Sequence, residues 1–188
     1  VNIKYRDGRK NFKLYKGAEK IFYNINSVVN HDWCVIVEGE MDVLALHEAG
    51  IKNVISVPNG ATLNSNNLDY LDNCIDYFED KEKVILAVDQ DDAGVALQNE
   101  LIRRLGAEVC YLTNFVDCKD ANDYLLKYGK EELANTIKEC RPVPLENVTT
   151  FKDIEHEVTD FVQNGFKRGF QIGLSNFDNI FSTYTGQF

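Results

Sequence analysis

The chain predicts an α/β fold, a parallel β-sheet of about four strands flanked by helices on both faces. Three observations carry this prediction. Short apolar runs recur near 33–37, 53–57, 84–88 and 108–112. Segments of helical periodicity separate them, near 40–49, 66–78 and 92–105 and in two pieces within 120–139. Gly50 and Gly106 stand where helices commonly end on a left-handed residue.

Taken in order, residues 1–17 are basic and turn-rich, with Lys4, Arg6, Arg9, Lys10, Lys13 and Lys16. Their alternation suggests a β-hairpin around Asp7-Gly8. Its charged face is either solvated or a nucleic-acid contact. Residues 18–30 read as a short helix and loop. Cys34 to Val37 is a buried-strand pattern, closed by Glu38 and Gly39, and Met41 to Ala49 continues as a helix. The run Val84 to Val88 ends abruptly in Asp89, Asp91 and Asp92, followed by Ala93-Gly94 and a helical pattern. Composition shifts at 141–150, where Pro142 and Pro144 mark a linker. Beyond it, Phe151, Ile154, Val158, Phe161 and Val162 recur at helical spacing, giving an amphipathic helix over 151–163.

Composition excludes several classes. Of the 188 residues, 44% are apolar, enough for a buried core, so disorder is not the default. The net charge of −10 is unlike that of a sequence-independent DNA binder, so any strong grip on nucleic acid must come from elsewhere in a larger protein. The five cysteines show no C-x-x-C spacing, which argues against zinc and for reduced thiols in a cytosolic protein. His31, His47 and His156 are isolated and read as structural or surface residues. No apolar stretch is long enough to span a bilayer, so no membrane association is expected. The chain opens on Val1 and stops on Phe188 in mid-pattern, as a fragment of a larger protein would.

The chemistry concentrates at two strand ends. Asp89 and Asp91 sit two apart, a spacing that can turn both carboxylates to one side of an extended chain. Two close carboxylates repel unless a cation lies between them, and Mg²⁺ suits such an oxygen-only site. Open α/β sheets bind ligands outside the carboxyl ends of their strands. If the 33–37 and 84–88 strands are parallel neighbours, Glu38 projects into the same crevice. Each acid also has a plain reading as a helix cap or first-turn residue, most simply so for Glu40, Asp42 and Asp92.

The paired signature, E-G-x-x-D from Glu38 to Asp42 and D-x-D-x-A-G from Asp89 to Gly94, resembles the Toprim domain across roughly residues 32–127. Two further segments, V-I-S-V-P-N-G-A at 54–61 and K-D-A-N-D-Y-L at 119–125, resemble the primase branch, in phage-type primase-helicases and bacterial primases. The late segment G-L-S-N-F-D-N-I-F resembles the entry to a RecA-type helicase domain. The resemblance implies three regions: residues 1–31 ending a basic primase subdomain, 32–140 the Toprim domain, and 141–188 a linker leading into the motor. It implies Mg²⁺- or Mn²⁺-dependent nucleotidyl transfer, making RNA primers on single-stranded DNA in the cytoplasm of a bacterial host. Glu38, Asp89 and Asp91 would be the catalytic and metal-binding centre. Lys4, Arg6, Lys10, Lys13, Asn59, Gly60 and Lys119 would contact nucleotide or DNA, with Asp42, Asp120 and Asp123 in support. Nucleoside triphosphates, the DNA template and the helicase domain of the same chain are the implied partners. The parent would form a hexameric ring and the fragment a monomer or weak dimer. Two alternatives stand beside this reading: a metal-dependent Toprim nuclease, and a degenerate non-catalytic module of a replicative helicase.

Overall fold

A mixed five-stranded sheet carries the site. The computed structural model describes residues 2–9, 12–59, 68–145, 151–165, 169 and 173–178. The chain divides into two compact units, Val1–Leu145 and Glu146–Phe188.

In the first unit, a small antiparallel hairpin comes first, β1 (Lys4–Arg6) with β2 (Phe12–Leu14). The hairpin expected around Asp7-Gly8 is thus present, and the Asp7 carboxylate accepts the Arg9 N–H at 2.8 Å in its turn. The main sheet comprises β3 (Trp33–Val37), β4 (Val54–Ser56), β5 (Lys83–Leu86), β6 (Cys110–Leu112) and β7 (Arg141–Pro142), in the order β4-β3-β5-β6-β7. β4, β3, β5 and β6 are mutually parallel, and β7 runs antiparallel to β6 at the edge.

Period-two alternation explains why both faces are covered. Cys34, Ile36, Val84, Leu86 and Val88 turn to one side. There they meet Leu71 of α2 (Asp69–Asp72) and Leu97 and Leu101 of α3 (Asp92–Leu105). Val35, Val37, Ile85 and Ala87 turn to the other side. They pack on Val43 and Leu46 of α1 (Glu40–Glu48), Ala121 of α4 (Ala121–Tyr128), and Leu133 and Ile137 of α5 (Lys130–Lys138). Continuous apolar strands are what a parallel sheet buried on both faces requires. Each large side chain so buried contributes about 1.5–3 kcal/mol before conformational entropy is counted.

Two expectations need correction. The helix expected over 66–78 is not continuous: α2 covers four residues, and a separate 3-10 turn follows at Ile75–Tyr77. Between them Cys74 leaves the helical region at φ −121°, and the local hydrogen bonds tighten to the i→i+3 pattern, as in Cys74 N–H to Leu71 O. Residues 60–67 lie outside the described residues. Arg141 and Pro142, expected in the linker, instead form the edge strand β7. Proline is tolerated there because an edge strand has one side free of ladder bonds.

In the second unit, α6 (Phe151–Asn164) matches the amphipathic helix expected over 151–163, and a short α7 (Ser175–Asp178) follows. No residue of α6 is buried, and Phe151 and Val162 are 66% and 76% exposed. Among the described residues, no helix is long and apolar enough to cross a membrane.

Candidate functional site

The strand order creates the site. From β3 the chain steps outward to β4, then returns to place β5 on the opposite side of β3. This reversal is a topological switch point, where the loops after two neighbouring strands diverge and leave a crevice. Glu38 follows β3 and Asp89 follows β5, so both lie at that crevice. They are in contact: the Asp89 N–H donates to Glu38 Oε1 at 3.2 Å.

Gly94 makes this closeness feasible. A Cβ there would fall 2.1 Å from the Asp89 carbonyl oxygen and 2.7 Å from Glu38 Oε1. The first turn of α3 therefore sits directly against the end of β5, and only glycine fits between them. Asp91 caps α3, its Oδ1 accepting the Gly94 N–H at 3.0 Å. That hydrogen bond is the first cause holding the Asp91 carboxyl below its ordinary range.

Lys119 closes the group. Its Nζ is 2.9 Å from Asp89 Oδ2 and 3.2 Å from Asp91 Oδ2. Asp89 and Asp91 therefore do turn to one side, as their spacing suggested. The Lys119 carbonyl also accepts the Gln90 N–H at 2.9 Å, tying the two loops together through the backbone. The two aspartates hold the Lys119 ammonium well above its usual range. Burial of Asp89 outweighs the lysine, and its carboxyl is raised.

A second layer of acids lies behind. Asp42, on the first turns of α1, is 7% exposed. Its Oδ1 accepts the Asn122 N–H at 3.1 Å. Burial, followed by repulsion from Asp120, pushes its carboxyl up to about 7. Asp120 caps α4, accepting the Asp123 N–H at 2.8 Å.

The basic candidates are distributed unevenly. Lys4 pairs with Glu40 at 2.8 Å, which ties β1 to the start of α1, two residues beyond Glu38. Arg6 and Lys13 are exposed on the hairpin, Arg6 stacked over the Phe12 ring at 5.6 Å. Asn59 is exposed beyond the carboxyl end of β4. Lys10 and Gly60 lie outside the described residues.

A groove of about 690 Å³ runs from Asp89 past Gln90, Gln98 and Asn114 to Arg141. In the sequence Arg141 stands beside Pro142 and Pro144, a context that reads as linker and gives no sign of this placement. Its pairing with Leu112 brings Arg141 to this end of the sheet.

The donor set at the crevice suits a hard divalent cation. It is all oxygen, and Asp89 and Asp91 already converge on one positive nitrogen. Among the described residues, however, no three His, Cys, Asp or Glu side chains gather closely enough to hold a metal ion.

Comparison with known proteins bears on this geometry. The Toprim-like family profile matches residues 35–125, a span that includes Glu38, Asp89, Asp91 and Lys119. The Twinkle homolog protein, chloroplastic/mitochondrial, of Arabidopsis thaliana is 31% identical over 206 residues, covering 100% of this chain and 29% of that protein. The primase homolog protein of the same plant is 36% identical over 164 residues, covering 78% of this chain and 49% of its own length. The chain thus spans less than half of either relative. The crystal structure of the primase fragment of the bacteriophage T7 primase-helicase superposes with a TM-score of 0.63 at 26% identity, covering 73% of this chain and 56% of that one.

Proposed function

Residues 35–125 belong to the Toprim-like family, and from that premise we propose that the chain supplies the nucleotidyl-transfer centre of a DNA primase of the primase-helicase type. The substrates in this reading are nucleoside triphosphates, joined into RNA primers on a single-stranded DNA template. Residues 146–188 would lead toward a RecA-type motor in the longer protein, which would assemble as a hexameric ring. The observation that carries the reading is the convergence of Asp89 and Asp91 on one cation at the switch point, with Glu38 hydrogen-bonded beside them.

Asp89, Asp91 and Glu38 would hold Mg²⁺ or Mn²⁺. When bound, such an ion binds the triphosphate, lowers the pKa of the primer 3′-hydroxyl and stabilises the transition state. The chain's own residues fix the stage. The Gly94 contact and the Asp91 cap hold the loop after β5 rigidly against α3. Asp89 is anchored through its N–H to Glu38, which fixes its backbone at the crevice. Arg6 and Lys13, exposed on the hairpin, would offer positive charge to phosphates, with Lys4 held on Glu40.

In the full-length protein, Asp89→Asn should abolish primer synthesis while leaving DNA unwinding intact. Equal loss of both activities in a folded variant would mean that this is no separate catalytic centre. A second reading, a non-catalytic module of a replicative helicase, draws on the absence of a three-ligand cluster among the described residues. It requires the full-length parent to show no primer synthesis that Asp89→Asn removes.

A further inference from the structure

We propose that Lys119 is an exchangeable counter-ion: it neutralises Asp89 and Asp91 before the metal arrives, is displaced by the divalent ion, and then turns its ammonium to a phosphate of the incoming nucleotide. The inference rests on the metal-centre reading above and adds an order of events to it.

Three features support the exchange. The Lys119 ammonium lies 2.9 and 3.2 Å from Asp89 Oδ2 and Asp91 Oδ2, on two of the carboxylates that would hold the divalent ion. A cation cannot enter that position while the ammonium fills it. The lysine side chain is 54% exposed, against 14% for Asp89, so it can leave without opening the core. Its backbone does not leave with it, because the Lys119 carbonyl is bonded to the Gln90 N–H at the base of the same loop. The released ammonium therefore stays at the crevice mouth, free to meet a phosphate bound there. A compact ammonium with three rotatable donors suits that transfer between carboxylates and phosphates.

The arrangement makes Lys119 oppose metal binding and favour nucleotide binding, two effects that a purely structural lysine would not separate. The test is Mn²⁺ titration of the 188-residue chain by calorimetry or electron paramagnetic resonance, followed by nucleoside triphosphate titration at saturating Mn²⁺. Lys119→Met keeps length and removes charge. It should bind Mn²⁺ a few-fold more tightly than the parent chain, because the competing ammonium is itself more than half exposed and solvent weakens its hold. It should also bind the nucleotide several-fold more weakly, and Lys119→Arg should recover part of that loss. Mn²⁺ affinity in Lys119→Met that equals or falls below the parent, with Asp89→Asn clearly weakened, overturns the exchange and leaves the metal centre standing. If parent and Asp89→Asn bind Mn²⁺ equally poorly, the metal centre falls, and the exchange with it. Circular dichroism of each variant confirms that the fold is retained.

Discussion

Replacing Gly94 by alanine separates local helix preference from the demands of the site. Gly94 lies in the first turn of α3, within a helix. By propensity alone, alanine there should stabilise by up to about 1 kcal/mol. The structure predicts the opposite. The added methyl would sit 2.1 Å from the Asp89 carbonyl oxygen and 2.7 Å from Glu38 Oε1. Glu38 can swing away, but Asp89 is backbone, and its neighbours Ala87 and Val88 are 3% and 2% exposed. Restoring an ordinary contact means moving the start of α3 by roughly 1 Å or more off the sheet, and overpacking of that kind typically costs 1–3 kcal/mol. The net expectation is destabilisation of about 1–2 kcal/mol, or several degrees in melting temperature for a chain of this size. The same shift pulls Asp91 and its cap away from Asp89, so Mn²⁺ affinity should fall together with stability. Urea melts followed by circular dichroism, with a parallel Mn²⁺ titration, measure both. A Gly94→Ala variant as stable as the parent, or more so, would refute the close packing of α3 on the end of β5.

Asp42 should make stability pH-dependent. Its folded carboxyl is pushed up from 3.8 to about 7, so between these values the folded chain holds a proton that the unfolded chain has lost, and stability falls as pH rises through that window. The contribution is at most roughly 4 kcal/mol, and Asp42→Asn should flatten the profile of urea midpoints from pH 4 to 8; an unchanged slope would show that Asp42 is not its source. Asp91→Ser keeps a capping oxygen for the Gly94 N–H while removing the second carboxylate oxygen. Its melting temperature should stay within a few degrees of the parent while Mn²⁺ affinity drops at least about tenfold, and unchanged Mn²⁺ binding would remove Asp91 from the centre.

The parallel strands and their flanking helices were legible because burial on both faces writes itself as continuous apolar runs. Cys34–Val37 and Val84–Leu86 are such runs, and the helices between them carry their own stops at Gly50 and Gly106, with φ +90° and +97°. What escaped reading lacked such a signal. β7 is two residues long and contains a proline, so its strand character comes from pairing with β6 rather than from its own preference. The break after α2 falls in a segment rich in Asn and Asp, residues whose side chains compete for backbone hydrogen bonds.

The site was legible as residue types but not as an arrangement. From the sequence, each acid posed a choice between capping a helix and serving chemistry. At Asp91 the structure dissolves that choice. A carboxylate has two oxygens, and here Oδ1 accepts the Gly94 N–H while Oδ2 faces Lys119. The cap fixes the side chain's orientation, and that orientation points the remaining oxygen at the position where Asp89 also points. Asp120 extends the pattern, since it caps α4 while its charge raises the carboxyl of buried Asp42. Helix starts placed after strand ends thus do two things at once. They satisfy their own orphan N–H groups, and they collect negative charge at the switch point. The lysine one residue before Asp120 is then drawn to that charge by the same packing that seats α4 against α1. Its sequence neighbours alone gave no sign that it would lie between Asp89 and Asp91, because that contact spans two loops brought together only by the order β3-β5-β6.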